Sequence, residues 1–178
     1  MKVKLKDIWT IGHSTRSMEE FVAMLRSFNI TFLADIRSFP GSKRYPHFNK
    51  QNLEKKLPGD GISYIHMPDL GGRRKPREDS KNNAWRHASF KGYADHMETA
   101  IFKNAIDELQ SLALQNNAAY MCSESLWWKC HRALVSDYLK IRGWNVIHIT
   151  DVDKSTEHPY SSPARIVQGN LFYNTENE

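Results

Sequence analysis

The chain reads as a three-layer α/β domain: a mainly parallel sheet of about five strands, helices on both faces, and a small C-terminal hairpin. Three observations predict this. Short β-rich runs alternate with segments of helical periodicity along the sequence. The run over residues 31–37 is continuously apolar before Asp35, as strands covered on both faces tend to be. The 178 residues, 40% of them hydrophobic, suffice for one core, so residues 1–178 are assigned to a single domain.

Each element has a local reason. Ile8-Trp9-Thr10-Ile11 is a β-rich run ending at Gly12-His13-Ser14-Thr15. Ser17 and Glu20 are spaced as a capping box, and Phe21, Met24, Leu25 and Phe28 follow at helical spacing. The second strand, residues 31–37, stops at Ser38-Phe39-Pro40-Gly41. A short helix is expected over 51–57, ended by Pro58-Gly59, and a third strand over 63–67, stopped by Pro68. Residues 69–92 are polar and basic with almost no periodicity, which predicts a long loop of functional type. Met97, Ile101, Ala105, Leu109 and Leu112 mark one long helix over roughly 93–116. Ala118-Ala119-Tyr120-Met121-Cys122 is the fourth strand. A helix over about 126–142 follows, closed by Lys140, Arg142 and Gly143 as the helix dipole and left-handed cap favour. Asn145-Val146-Ile147-His148-Ile149 is the fifth strand. Within the tail, residues 153–178, the segments 164–167 and 171–173 flank Gln168-Gly169-Asn170 and predict a hairpin.

No apolar run approaches the roughly 20 residues of a membrane span. The start, Met1-Lys2-Val3-Lys4-Leu5-Lys6-Asp7, lacks the apolar stretch of a signal peptide, so a cytoplasmic protein is expected. Its two cysteines are expected to stay reduced. The net charge of +5 is unevenly placed. Arg37, Lys43, Arg44 and Lys50 occur in a stretch with no acid, and residues 73–91 carry seven bases against Glu78 and Asp79. Such basic stretches favour a phosphate-bearing small molecule or nucleic acid as partner. Neither a cofactor nor an oligomeric state is assigned.

The strand ends carry the chemistry. In a parallel sheet they share one edge, so His13, Asp35, Arg37, His66, Cys122 and Glu124 are expected to meet at one crevice. Cys122, close to a helix start and to cations, has the setting of a lowered thiol pKa and of a nucleophile. Glu124, two residues on, is expected on the same side, buried near Trp127 and Trp128 as a general acid, base or nucleophile. Cys130-His131-Arg132 falls in the first turns of the next helix; Arg132 is assigned to hold an anion and His131 to support Glu124 or the substrate. The soft ligands Cys122, Cys130, His131, His13 and His66 match no standard zinc spacing, with no C-x-x-C pair, so no metal is assigned. Arg37, Arg44 and Tyr45, with Arg73, mix cations and aromatics in the pattern that grips phosphate and stacks on bases.

These same residues carry a resemblance. Thr10-Ile11-Gly12-His13-Ser14, Asp35-Ile36-Arg37-Ser38-Phe39-Pro40, the segment Tyr64-Ile65-His66-Met67-Pro68-Asp69-Leu70-Gly71-Gly72-Arg73, Cys122-Ser123-Glu124 with Trp128-Lys129-Cys130-His131-Arg132, and His158-Pro159 together resemble the bacterial and archaeal family known as domain of unknown function 488. Ser123 departs from the alanine often found there. The resemblance implies an α/β fold with one shared polar site and brings no reaction with it. The residues point to a hydrolase or transferase acting on a nucleotide, nucleoside or nucleic-acid component. A non-catalytic nucleic-acid-binding module and a thiol- or metal-dependent redox or sulfur-transfer protein are the alternatives.

Overall fold

The computed structural model describes residues 6–175; the reading of the N-terminal stretch falls mostly outside that range. A six-stranded sheet runs in the order β3-β2-β4-β1-β5-β6. Its strands are β1 (Lys6–Gly12), β2 (Phe32–Asp35), β3 (Ser63–His66), β4 (Ala118–Cys122), β5 (Trp144–Asp151) and β6 (Lys154–Glu157). The first five are mutually parallel, and β6 pairs antiparallel with β5. This sixth strand is the difference from the five predicted. All four of its residues are exposed, so it carries no apolar alternation to read.

The helices are α1 (Met18–Ser27), α2 (Lys50–Lys56), α3 (Ala88–Met97), α4 (Ala100–Gln115) and α5 (Arg132–Ile141). α1 and α2 bury Phe21, Leu25 and Leu53 on one face of the sheet with Ile11, Leu33 and Met121. α3, α4 and α5 bury Tyr93, Phe102, Leu109 and Leu134 on the other with Ile8, Ala34 and Tyr120. Crossovers through α1 and α2 run toward β3, and those through α3, α4 and α5 run back toward β5. Opposite travel on opposite faces gives every crossover the same hand, as the chirality rule for parallel connections demands.

The capping box forms as read: Ser17 accepts from Glu20 N, and the Glu20 carboxylate accepts from Ser17 N. Three boundaries move. The single helix expected over 93–116 is two, because Thr99 restarts the chain: its hydroxyl accepts from Phe102 N and donates to the His96 carbonyl. The predicted loop ends earlier, at Ala88, and is tied down rather than loose. Asp95 accepts from Arg77 N, Ser80 Oγ and Asn82 Nδ2. The helix expected from 126 begins at Arg132, after a single 3-10 turn over Trp127–Lys129 and an extended Cys130. The C-terminal hairpin, β7 (Arg165–Val167) and β8 (Asn170–Phe172), turns through Gln168 and Gly169, both left-handed at φ 47° and 76°. No helix among the described residues is long and apolar enough to cross a membrane.

Candidate functional site

β1 and β4 lie side by side, but the chain leaves β1 toward β2 and leaves β4 toward β5. That divergence opens the sheet's C-terminal edge at a topological switch point. A cavity of about 610 Å³ sits there, lined from β1 by His13, from β2 by Arg37 and Ser38, and from β4 by Cys122 and Ser123. The β1–β4 ladder continues into its floor: His13 N donates to the Cys122 carbonyl at 3.0 Å, and Ser14 N to the Ser123 carbonyl at 2.9 Å.

Arg37 is the most fully bonded side chain of the floor. Its Nε donates to Asp35 Oδ1 at 2.8 Å and its Nη2 to Asp35 Oδ2 at 2.6 Å. Nη2 also reaches the Phe48 carbonyl at 2.7 Å, and Nη1 donates to His13 Nε2 at 3.2 Å. Asp35 is fully buried and also accepts from the Tyr64 hydroxyl. Both of its carboxylate oxygens are thus engaged with Arg37 and Tyr64, and it lies outside the cavity lining. Desolvation, with the neighbouring Asp35 charge, pushes the Tyr64 phenol up.

His13 stacks on Phe48, with centroids 4.2 Å apart. Its Nδ1 donates to the Ser14 carbonyl, leaving Nε2 as the acceptor facing Arg37. Burial first, and Arg37 in support, lower its pKa to about 4, so His13 is neutral above that value.

Beneath the cavity three soft side chains converge. Cys122 Sγ lies 3.9 Å and Cys130 Sγ 3.6 Å from His131 Nδ1, while His131 Nε2 donates to the Ile36 carbonyl at 2.9 Å. Both cysteines are free and buried. A hydrogen bond from Cys130, then His131, hold the Cys122 thiol well below its ordinary range; burial pushes Cys130 well above it.

The rim is cationic. Arg44, Arg73 and Lys129 line the opening, with Arg44 against Tyr45 and Arg73 against Phe39; Glu124 is the one carboxylate of the lining. Arg73 holds a left-handed backbone, φ 59°.

Three expected residues stand elsewhere. Glu124 is exposed at the rim, its carboxylate 3.5 Å from Leu126 N, not buried among tryptophans; Trp127 instead stacks on His148 at 4.6 Å. His66 is outside the lining and bonds the Arg37 carbonyl through Nε2 at 2.7 Å. Arg132, 1% exposed, lies behind the floor with its guanidinium engaged by the chain itself: Nη2 donates to the Glu124 and Ser125 carbonyls, and Nη1 to Thr10 Oγ1.

Sequence reading missed what holds Arg132. Thr10 Oγ1 donates to His148 Nδ1 at 3.0 Å, His148 Nε2 to His158 Nδ1 at 2.9 Å, and His158 Nε2 to Asp137 Oδ1 at 2.8 Å. Asp137 can only accept at one end and Arg132 donates to Thr10 at the other, so the chain of bonds runs in a single direction. His148 interrupts the Val146-Ile147-His148-Ile149 run of β5, and that was the available signal.

No curated protein and no solved structure matches this chain. The family model described as domain of unknown function DUF488 matches residues 17–139, more than half the chain, across Arg37, Arg73, Cys122, Cys130 and His131. The chain belongs to the DUF488 family.

Proposed function

We propose that this protein is an enzyme acting on a phosphate-bearing nucleotide, nucleoside or nucleic-acid component in the crevice at the strand C-termini. The observation that carries the reading is the pairing of two layers in one cavity. The floor holds two sulfurs and an imidazole within 4.8 Å of one another. The rim above offers Arg44, Arg73 and Lys129 against a single carboxylate. Fork-shaped guanidinium groups suit phosphate oxygens, and Tyr45 and Phe39 provide faces for a base or sugar. The buried soft cluster favours chemistry over binding alone, because a surface that only grips phosphate needs no sulfur beneath it. Asp35 takes no part beyond fixing Arg37, and Glu124 is a rim group that can act once substrate covers it.

Equilibrium binding of mononucleotides and short oligonucleotides, measured across a salt series, tests the reading. Affinity that falls with salt is expected, weakened about tenfold or more by Arg44→Ala combined with Arg73→Ala. Binding that survives in Cys122→Ser while turnover is lost separates enzyme from binding module. No affinity for any phosphate-bearing ligand at low salt overturns it.

A further inference from the structure

We propose that Cys122, Cys130 and His131 are three ligands of a zinc(II) ion whose fourth position opens into the crevice. The sequence offers five soft side chains, Cys122, Cys130, His131, His13 and His66, and the fold reduces them to three. His13 has both ring nitrogens engaged, with Ser14 and Arg37, and His66 is turned to the Arg37 carbonyl.

The remaining three lie within 4.8 Å of one another, and their sulfur–nitrogen edges fit a tetrahedral site. With zinc–sulfur bonds of about 2.3 Å and zinc–nitrogen bonds of about 2.0–2.1 Å, a sulfur–nitrogen edge is about 3.6 Å. The two edges here are 3.9 and 3.6 Å. The imidazole is also set for the task. Its Nε2 hydrogen is committed to the Ile36 carbonyl, so the Nδ1 lone pair faces the sulfurs, the arrangement by which outer-shell carbonyls orient ligating histidines.

The surroundings agree. A Cβ on Gly72 would stand 2.9 Å from His131 Nδ1, so the glycine leaves room beside the ligand nitrogen. The Arg132 amide lies 3.5 Å from Cys130 Sγ, an N–H to sulfur contact that stabilises a thiolate. Two thiolates and a dication sum to zero charge, which removes the penalty of burying either sign alone. All three residues line the cavity, so the side of the triangle left open faces the proposed substrate. A Cys₂His set with one open position is the pattern of catalytic rather than structural zinc. The ion would supply a Lewis acid and a bound water beneath the cationic rim. Spacing hid this site because one ligand ends a strand and the other two precede a helix.

This proposal deepens the crevice reading but is tested without any nucleotide. Protein freed of metal by chelator dialysis is titrated with zinc(II) against a chromophoric chelator, and separately with cobalt(II). One equivalent per chain is expected, with thiolate-to-cobalt charge-transfer absorption and both thiols protected from a disulfide reagent by zinc. Cys122→Ser and Cys130→Ser should each weaken binding at least tenfold, whereas His47→Ala should not. Thiol protection in the wild-type protein keeps the test valid if a variant misfolds. Absence of saturable binding, unprotected thiols, or a cobalt spectrum without thiolate charge transfer overturns the proposal. Zinc binding without nucleotide binding would leave this site standing and the substrate reading fallen.

Discussion

Asp35 grips Arg37 through both carboxylate oxygens, at 2.8 and 2.6 Å, with Asp35 fully buried and Arg37 almost so. The two residues are separated only by Ile36, yet the pair sets the position of the cation nearest His13. Asp35→Asn should leave an uncompensated buried guanidinium and cost about 3–5 kcal/mol. Urea denaturation measures it. A loss below about 1 kcal/mol would show that Arg37 finds another partner or escapes to solvent.

Cys122 and Cys130 should differ in reactivity. In metal-free protein at neutral pH, Cys122 keeps thiolate character because Cys130 and His131 bond to its sulfur, while burial keeps Cys130 a thiol. Iodoacetamide should therefore alkylate Cys122 first, and the rate should persist below the ordinary thiol range. Peptide mapping across a pH series reads both. Equal rates at the two cysteines, rising only at alkaline pH, would contradict the asymmetry.

Acid should destabilise the fold through two histidines. Burial above all lowers His13 to about 4 and His148 to about 2, from 6.5. The unfolded chain then binds more protons than the folded one below pH 6.5, so stability falls as pH falls. The window runs from 6.5 down to about 4 for His13 and to about 2 for His148. Each imidazole contributes a slope of about 1.4 kcal/mol per pH unit. Chemical denaturation at stepped pH should show the decline, and His148→Gln should flatten it. A pH-independent stability between 6.5 and 4 would refute the buried neutral assignment.

Gly12 governs the loop that carries Glu124. A Cβ at this position would lie 1.9 Å from the Glu124 carbonyl oxygen and 2.9 Å from Arg132 Nη2. Gly12→Ala should push the 124–125 loop off Arg132 and cost several kcal/mol, about 2–4 by analogy with strained core insertions and lost buried hydrogen bonds. Thermal unfolding gives the stability loss. Near-wild-type unfolding would mean the loop relaxes freely.

The legibility of this protein divides by range. The capping box Ser17–Glu20 acts within one helical turn, and β4 is bounded by its own apolar residues, so both were readable locally. The gathering of His13, Arg37 and Cys122 followed from parallel strands alone, since their C-terminal ends must share an edge. Thr99 was less visible, because helical periodicity runs on through a cap that merely restarts the count. β6 was invisible, its four exposed residues having no face to bury.

Sequence by itself determined the α/β class and most of the element order, because burial periodicity and turn chemistry are local. Only the tertiary structure decided the strand order, and with it which polar residues face the cavity. It turned Asp35 and His66 toward Arg37, put Arg132 behind the floor and left Glu124 at the rim. It also brought Cys122 to Cys130 and His131 across a non-helical loop. Those outcomes depend on side-chain direction at a junction between layers, where most buried donors and acceptors are satisfied by partners from distant parts of the chain.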